Sequence, residues 1–258
     1  MLTDTLLLMN TLLKFGQGNA KLGKFVATMS LPSGFTCPGA KDCLAMANRQ
    51  TGKLTVGKDT QFRCFSASME TLFPKMRAAR WHNFDQLKSA KTVTAMARLI
   101  SDSLPKGASV VRVHVGGDFF NETYFKAWMN VARSNPNILF YAYTKMVNFW
   151  VKNIVDIPKN FVLNASRGGK YDNLIDAHGL KSAEVVYSFE EAKQKKLEID
   201  HDDSLAMKAD GKSFALLIHG KQQPGSKASS AMKLLRKQGV FGYGNEKNKK
   251  VRVVAGSY

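Results

Sequence analysis

The chain has three cysteines in 258 residues, all between Leu31 and Ser68. Cys37 and Cys43 share a short loop, TCPGAKDC, and Cys64 follows a polar insert, so the three thiols can converge although the sequence separates them. Soft sulfur donors grouped in this way favour an iron-sulfur cluster or zinc. Three thiolates can hold a cubane [4Fe-4S] cluster and leave one iron without a protein thiolate, open to a substrate or cosubstrate. The C-x5-C and C-x20-C spacings match neither a paired C-x2-C zinc ribbon nor a compact ferredoxin run. Zinc would also need a fourth ligand, with His82 and His114 as candidates, and no spacing supplies one. Inert buried thiols are the structural alternative. A lone cysteine nucleophile has no histidine in a recognised pairing with it.

Such a group must be carried by a scaffold, and composition bounds it. An apolar content of 44% with 22% charged residues excludes a disordered chain, while the net charge of +18 selects anionic partners. Nucleic acid, an anionic membrane and phosphorylated small molecules all meet that description. The length suits one α/β domain. We divide it into an N-terminal helix and connector (1–23), a barrel-like core (24–220) holding the cysteine loop (31–68), and a basic C-terminal segment (221–258). The N-terminal run LLLMNTLL is too short to cross a bilayer and has no basic flank, so neither a signal peptide nor a membrane anchor is expected. An odd number of cysteines without a secretory signal points to a reducing cytoplasm.

Six stretches read as strands: KFVATMSL, SVVRVHV, NILFYAY, NFVLNAS, AEVVYS and SFALLIHG, with VRVV near the end as an extra one. Helical patterns separate them. Met69, Leu72, Phe73, Met76, Ala79 and Arg80 recur at helical spacing, TVTAMARLISDSL is a second helix, and Asn121 is placed to cap NETYFKAWMNVARS. This βαβα rhythm predicts a partial (β/α) barrel of about six mainly parallel strands. Functional groups then gather at the C-terminal strand ends. EEAKQKKLEIDHDDS reads as a charged surface excursion.

The strand ends supply the remaining candidates. Gly116, Gly117 and Asp118 close the second strand, as a ligand-holding turn or as a plain turn with Asp118 capping a helix. Ser166 and Arg167 follow the fourth strand, where the guanidinium fork suits a carboxylate or Arg167 braces the Gly168 turn. His219 ends the sixth. Ser226 can cap a helix whose free N–H groups, with Lys227, attract an anion. Lys247, Lys249, Lys250 and Arg252 form a basic tail able to track phosphates, with no helix-turn-helix, zinc-finger or RNA-binding signature beside it.

Several blocks, among them NAKLGKFVATMSLPSGFTCPGAKDCLA, VRVHVGGDFFNETYFKAW, LNASRGG and LLIHGKQQPGS, resemble the phage family of gene product 88 proteins, from about Asn19 to Gly225. That resemblance implies a viral origin and makes the three cysteines family features. The order of parts is also similar to radical S-adenosylmethionine enzymes. These place three cluster cysteines after the first strand of a partial barrel and a Gly-Gly-Glu-like motif after the second. The resemblance implies S-adenosylmethionine at the open iron, with Gly116, Gly117 and Asp118 holding its amino end and Arg167 or the Ser226 loop its anionic parts.

The expectation is thus a cytoplasmic [4Fe-4S] protein of an infected host cell, with a small anionic ligand or cosubstrate. The competing expectation is a basic module that docks on nucleic acid or a host protein, with a cluster or zinc as a staple.

Overall fold

A computed structural model describes residues 12–18 and 26–240. The N-terminal run LLLMNTLL up to Thr11, the terminal VRVV and the basic tail lie outside the described residues. The chain begins with β1 (Gly16–Gln17) and β2 (Val26–Thr28), then a hairpin of β3 (Ala45–Ala47) and β4 (Leu54–Val56) inside the cysteine loop. Three helices follow, α1 (Phe65–Leu72), α2 (Pro74–Ala90) and α3 (Val93–Ser103). Strand and helix then alternate through β5 (Val110–Val113), α4 (Glu122–Ser134), β6 (Leu139–Thr144), α5 (Val147–Lys152), β7 (Phe161–Ser166), α6 (Asp172–Ala177) and β8 (Ser182–Val186). The last elements are α7 (Phe189–Gln194), β9 (Glu198–Ile199), α8 (Ser204–Met207), β10 (Phe214–Leu217) and α9 (Lys227–Lys237).

The main sheet runs β1-β2-β5-β6-β7-β8-β10-β9. The six strands expected from the sequence are its β2, β5, β6, β7, β8 and β10, each parallel to the next. β1 adds an antiparallel edge and β9 a short parallel one. The result is a mixed α/β fold with a mostly parallel central sheet. β1 and β9 are its two edges, and no pairing between them closes it.

Alternation along the strands separates two faces. Val111, Val113, Phe140, Ala142 and Leu163 pack against helical residues such as Ile100, Trp128 and Val131. Val110, Tyr141, Val162 and Phe214 face the other way and meet Ala206 of α8. Asn121 and Ser226 cap α4 and α9, as their positions in the sequence imply.

Two local expectations are corrected. The helical stretch from Met69 to Arg80 is two helices and not one, because Pro74 divides it: Phe73 leaves the helical region (φ −121°, ψ 87°), as a residue before proline tends to, and the second helix starts on Pro74. Leu72, Phe73 and Met76 are exposed, and the buried positions are Ser66, Ala67, Ser68 and Glu70, then Arg77, Arg80, Trp81 and Phe84. The end of the charged excursion is not surface either. Asp203 is fully buried, pairs with Arg112 at 2.6 Å and accepts the Tyr141 hydroxyl at 2.7 Å, pinning α8 to the sheet.

Candidate functional site at the C-terminal mouth of the sheet

The cysteine loop leaves β2 and folds over the C-terminal ends of the neighbouring strands. Cys37 sits in a tight turn where the Gly34 N–H donates to its Sγ at 3.3 Å. Cys43 precedes the hairpin, and the bridge between Ala40 and Gly169 ties its loop to the end of β7. Cys64 is the residue before α1. Gln222 fixes that helix start, accepting from Arg63 N at 2.8 Å and donating to Arg63 O at 3.1 Å and His219 O at 2.9 Å. The β10 end therefore clamps the most distant cysteine, a role that no local pattern around Gln222 announces.

All three thiols are half-buried. Burial, then Asp118, Cys64 and Cys43, push Cys37 well above the ordinary thiol range. Burial also raises Cys43, opposed by Lys145 and reinforced by Asp118 and Asp42. Cys64 is pushed up to about 11 by burial and by Cys43, against the N–H groups of Ala67 and Ser66 and the Arg80 guanidinium. Asp118, Lys145 and Arg80 thus act electrostatically on the thiols, while among the described residues no three His, Cys, Asp or Glu are grouped so as to hold a metal ion.

Asp118 does not cap a helix. Its Oδ1 accepts from Phe119 N and the Thr144 hydroxyl, both at 2.7 Å, and its Oδ2 from Lys145 N at 2.8 Å. These three bonds use most of a carboxylate's acceptor sites and latch the β5 end to the β6 end. Burial lifts its pKa to about 6 despite those donors. Gly116 donates to Ser30 Oγ and accepts from Leu31 N at 2.8 Å, while a Cβ on Gly117, whose φ is +87°, would fall 2.6 Å from Thr36 Oγ1. Both glycines let the β5 end pack directly on the cysteine loop.

The Lys145 ammonium donates to Ser166 O at 2.9 Å, to Ser166 Oγ at 3.1 Å and to Arg167 O. Arg167 directs its fork at Asp176, with an ion pair at 2.6 Å, and its Nε at Ser182, so it braces the loop after β7. His219 packs its ring, tilted by 44°, against Phe65, the residue after Cys64, with 4.7 Å between centroids. Ser226 accepts from Ser229 N as the α9 cap. The proposed zinc ligands are engaged elsewhere, His82 with the Leu12 carbonyl and His114 with the Tyr124 hydroxyl.

Sequence reasoning missed the layer under this mouth. Glu70 is fully buried and takes Arg80 at 2.5 Å and Ser33 N at 2.9 Å on one oxygen, while Arg80 also donates to Ser66 O. One carboxylate therefore joins the Cys37 turn to the Cys64 helix. Two charged letters inside a helical pattern were the available signal, and burial of both needs the tertiary contact.

These features define an α/β protein with a thiol-rich mouth at the ends of a parallel sheet. The chain belongs to the Gene product 88 family, whose model matches residues 5–237. It is 30% identical to the Gene 88 protein of Mycobacterium phage L5 over 139 residues, covering 50% of this chain and 51% of that protein. Its identity to the Gene 88 protein of Mycobacterium phage D29 is 29% over 139 residues, with the same coverage. The match thus spans about half the length of each relative, and both are bacteriophage proteins, as the sequence resemblance implied. No solved structure matches.

Proposed function

We propose that Cys37, Cys43 and Cys64 bind a [4Fe-4S] cluster at the strand ends of a partial (β/α) barrel. The open iron receives S-adenosylmethionine or another chelating ligand, as in a radical S-adenosylmethionine-type enzyme working in the infected cell's cytoplasm. The observation that supports the reading is that all three cysteines are half-buried, with Cys64 and Cys43 acting electrostatically on Cys37 and Cys43 on Cys64. Three thiolates repel in a buried site, and a cationic centre relieves that repulsion. Three thiolates also suit the soft metal centres that an iron-sulfur cluster provides.

Parallel strands β2, β5, β6, β7, β8 and β10 in chain order also support it, because barrels are wound that way whereas doubly wound sheets reverse at a switch point. Such a cluster supplies one-electron chemistry to whatever chelates its open iron. The chain's own part is to orient the thiols, through Gln222 and the Glu70 brace, and to keep Lys145 and Asp118 beside them.

Anaerobic purification and reconstitution test the proposal. The expected protein is brown, carries about four irons per chain, and loses most of that iron in Cys64→Ala. Cleavage of S-adenosylmethionine after reduction tests the enzymatic part. A colourless reconstituted protein without iron, or a Cys64→Ala variant with full iron, overturns the reading.

A further inference from the structure

We infer that the cleft between the β1–β2 edge and α2 binds a small oxyanion, the phosphate or carboxylate of a metabolite. The cleft has a volume of about 360 Å³ and its described lining includes Lys14 and Arg80 but no carboxylate. Gln17, Thr28, Ser30 and Asn83 complete its polar wall. Arg80 is 5% exposed, and its buried Nε has no hydrogen-bond partner among the described residues. Buried donors of this kind are normally satisfied, so an unpaired N–H on a guanidinium that lines the cleft points to a missing acceptor. The guanidinium is already oriented, because NH1 is held by Glu70, Ser66 O and Ser33 Oγ. A fixed fork of that type matches the geometry of an oxyanion.

Lys14 is delivered to the same cleft by Asn83 of α2, whose amide accepts from Lys14 N at 2.7 Å and donates to Lys14 O at 3.0 Å. Ser30 Oγ accepts from Gly116 N at 3.3 Å and has a proton of its own to give. Glu70 balances Arg80 from behind, so Lys14 and the converging N–H and O–H donors provide the net attraction. The cleft borders the cysteine loop through Ser30 and Arg80, yet it needs no metal, and its failure would leave the cluster reading untouched.

Isothermal titration of the full chain with sodium phosphate and with sodium acetate tests this, at ionic strength held constant with chloride. The constant background matters because a net charge of +18 attracts every anion weakly. Saturable binding is expected, weakened about tenfold by Lys14→Ala, the loss of one charge-assisted hydrogen bond. Ser30→Ala should weaken it as well, and removing the exposed Lys106 with Lys106→Ala should not. The tighter of the two probes identifies the ligand's head group. A response that never saturates, or an equal loss in Lys14→Ala and Lys106→Ala, overturns the inference.

Discussion

Replacing Glu70 by Gln keeps the shape of the side chain and removes one charge from a buried pair. Glu70 is 0% exposed and Arg80 5%, and the ion pair between them measures 2.5 Å. The amide oxygen of Gln can still accept from Ser33 N, so the main loss is the partner of a desolvated guanidinium. Breaking a buried pair from one side costs about 3–5 kcal/mol. Because Glu70 also joins the Cys37 turn to the Cys64 helix, the same change should loosen the thiols. Equilibrium urea unfolding should give the stability loss, and reaction of the apoprotein with a chromogenic disulfide should be faster than in the wild type. The Glu70→Met, Arg80→Met double variant should recover much of the lost stability, since no buried charge is then left unpaired. A Glu70→Gln cost below about 1 kcal/mol, or a double variant worse than both singles, would refute the reasoning.

Three further outcomes are expected. Gly220→Ala puts a Cβ 2.6 Å from Phe65 Cβ at a φ of +80°, and should cost about 1–3 kcal/mol in the urea midpoint while lowering reconstituted iron. An unchanged midpoint would contradict the close packing of the β10 end on α1. Asp203→Asn removes the carboxylate 2.6 Å from the half-buried Arg112, leaving only the more distant charge of Asp200, and should cost about 3 kcal/mol; retention of wild-type stability would show that α8 is not pinned by this pair. Burial lowers His114 to about 3, so between its unfolded value near 6.5 and about 3 the unfolded chain binds the extra proton. Stability from this residue is therefore lost as pH falls through that window, on the order of 5 kcal/mol in total. Asp118, raised to about 6, acts in the opposite direction between about 4 and 6, where the folded chain binds the extra proton. Comparing the pH slope of unfolding between the wild type and His114→Phe isolates the histidine, and identical slopes would contradict a neutral buried ring.

The order of the parallel strands was legible because alternation and β-branched runs are local properties. SVVRVHV, NILFYAY and NFVLNAS each announce a strand without reference to a partner, and parallel winding follows from the helices between them. Asn121 and Ser226 were readable for the same reason, since a cap bonds to a backbone three residues away. The three cysteines were legible as residue types. The hold on Cys64 was not, because Gln222, which fixes the backbone before it, comes from the far side of the sequence. The helical stripe failed at Pro74, where one proline rotated the buried face onto Arg77, Arg80 and Trp81. Asp203 and Glu70 failed as well, because a charged letter is placed on the surface unless its counter-ion is known, and Arg112 and Arg80 are supplied from other elements. Local periodicity depends on neighbours in the chain, so the sequence determines it. Buried charge and the hold on a distant cysteine depend on neighbours in space, and only the packed sheet decides those.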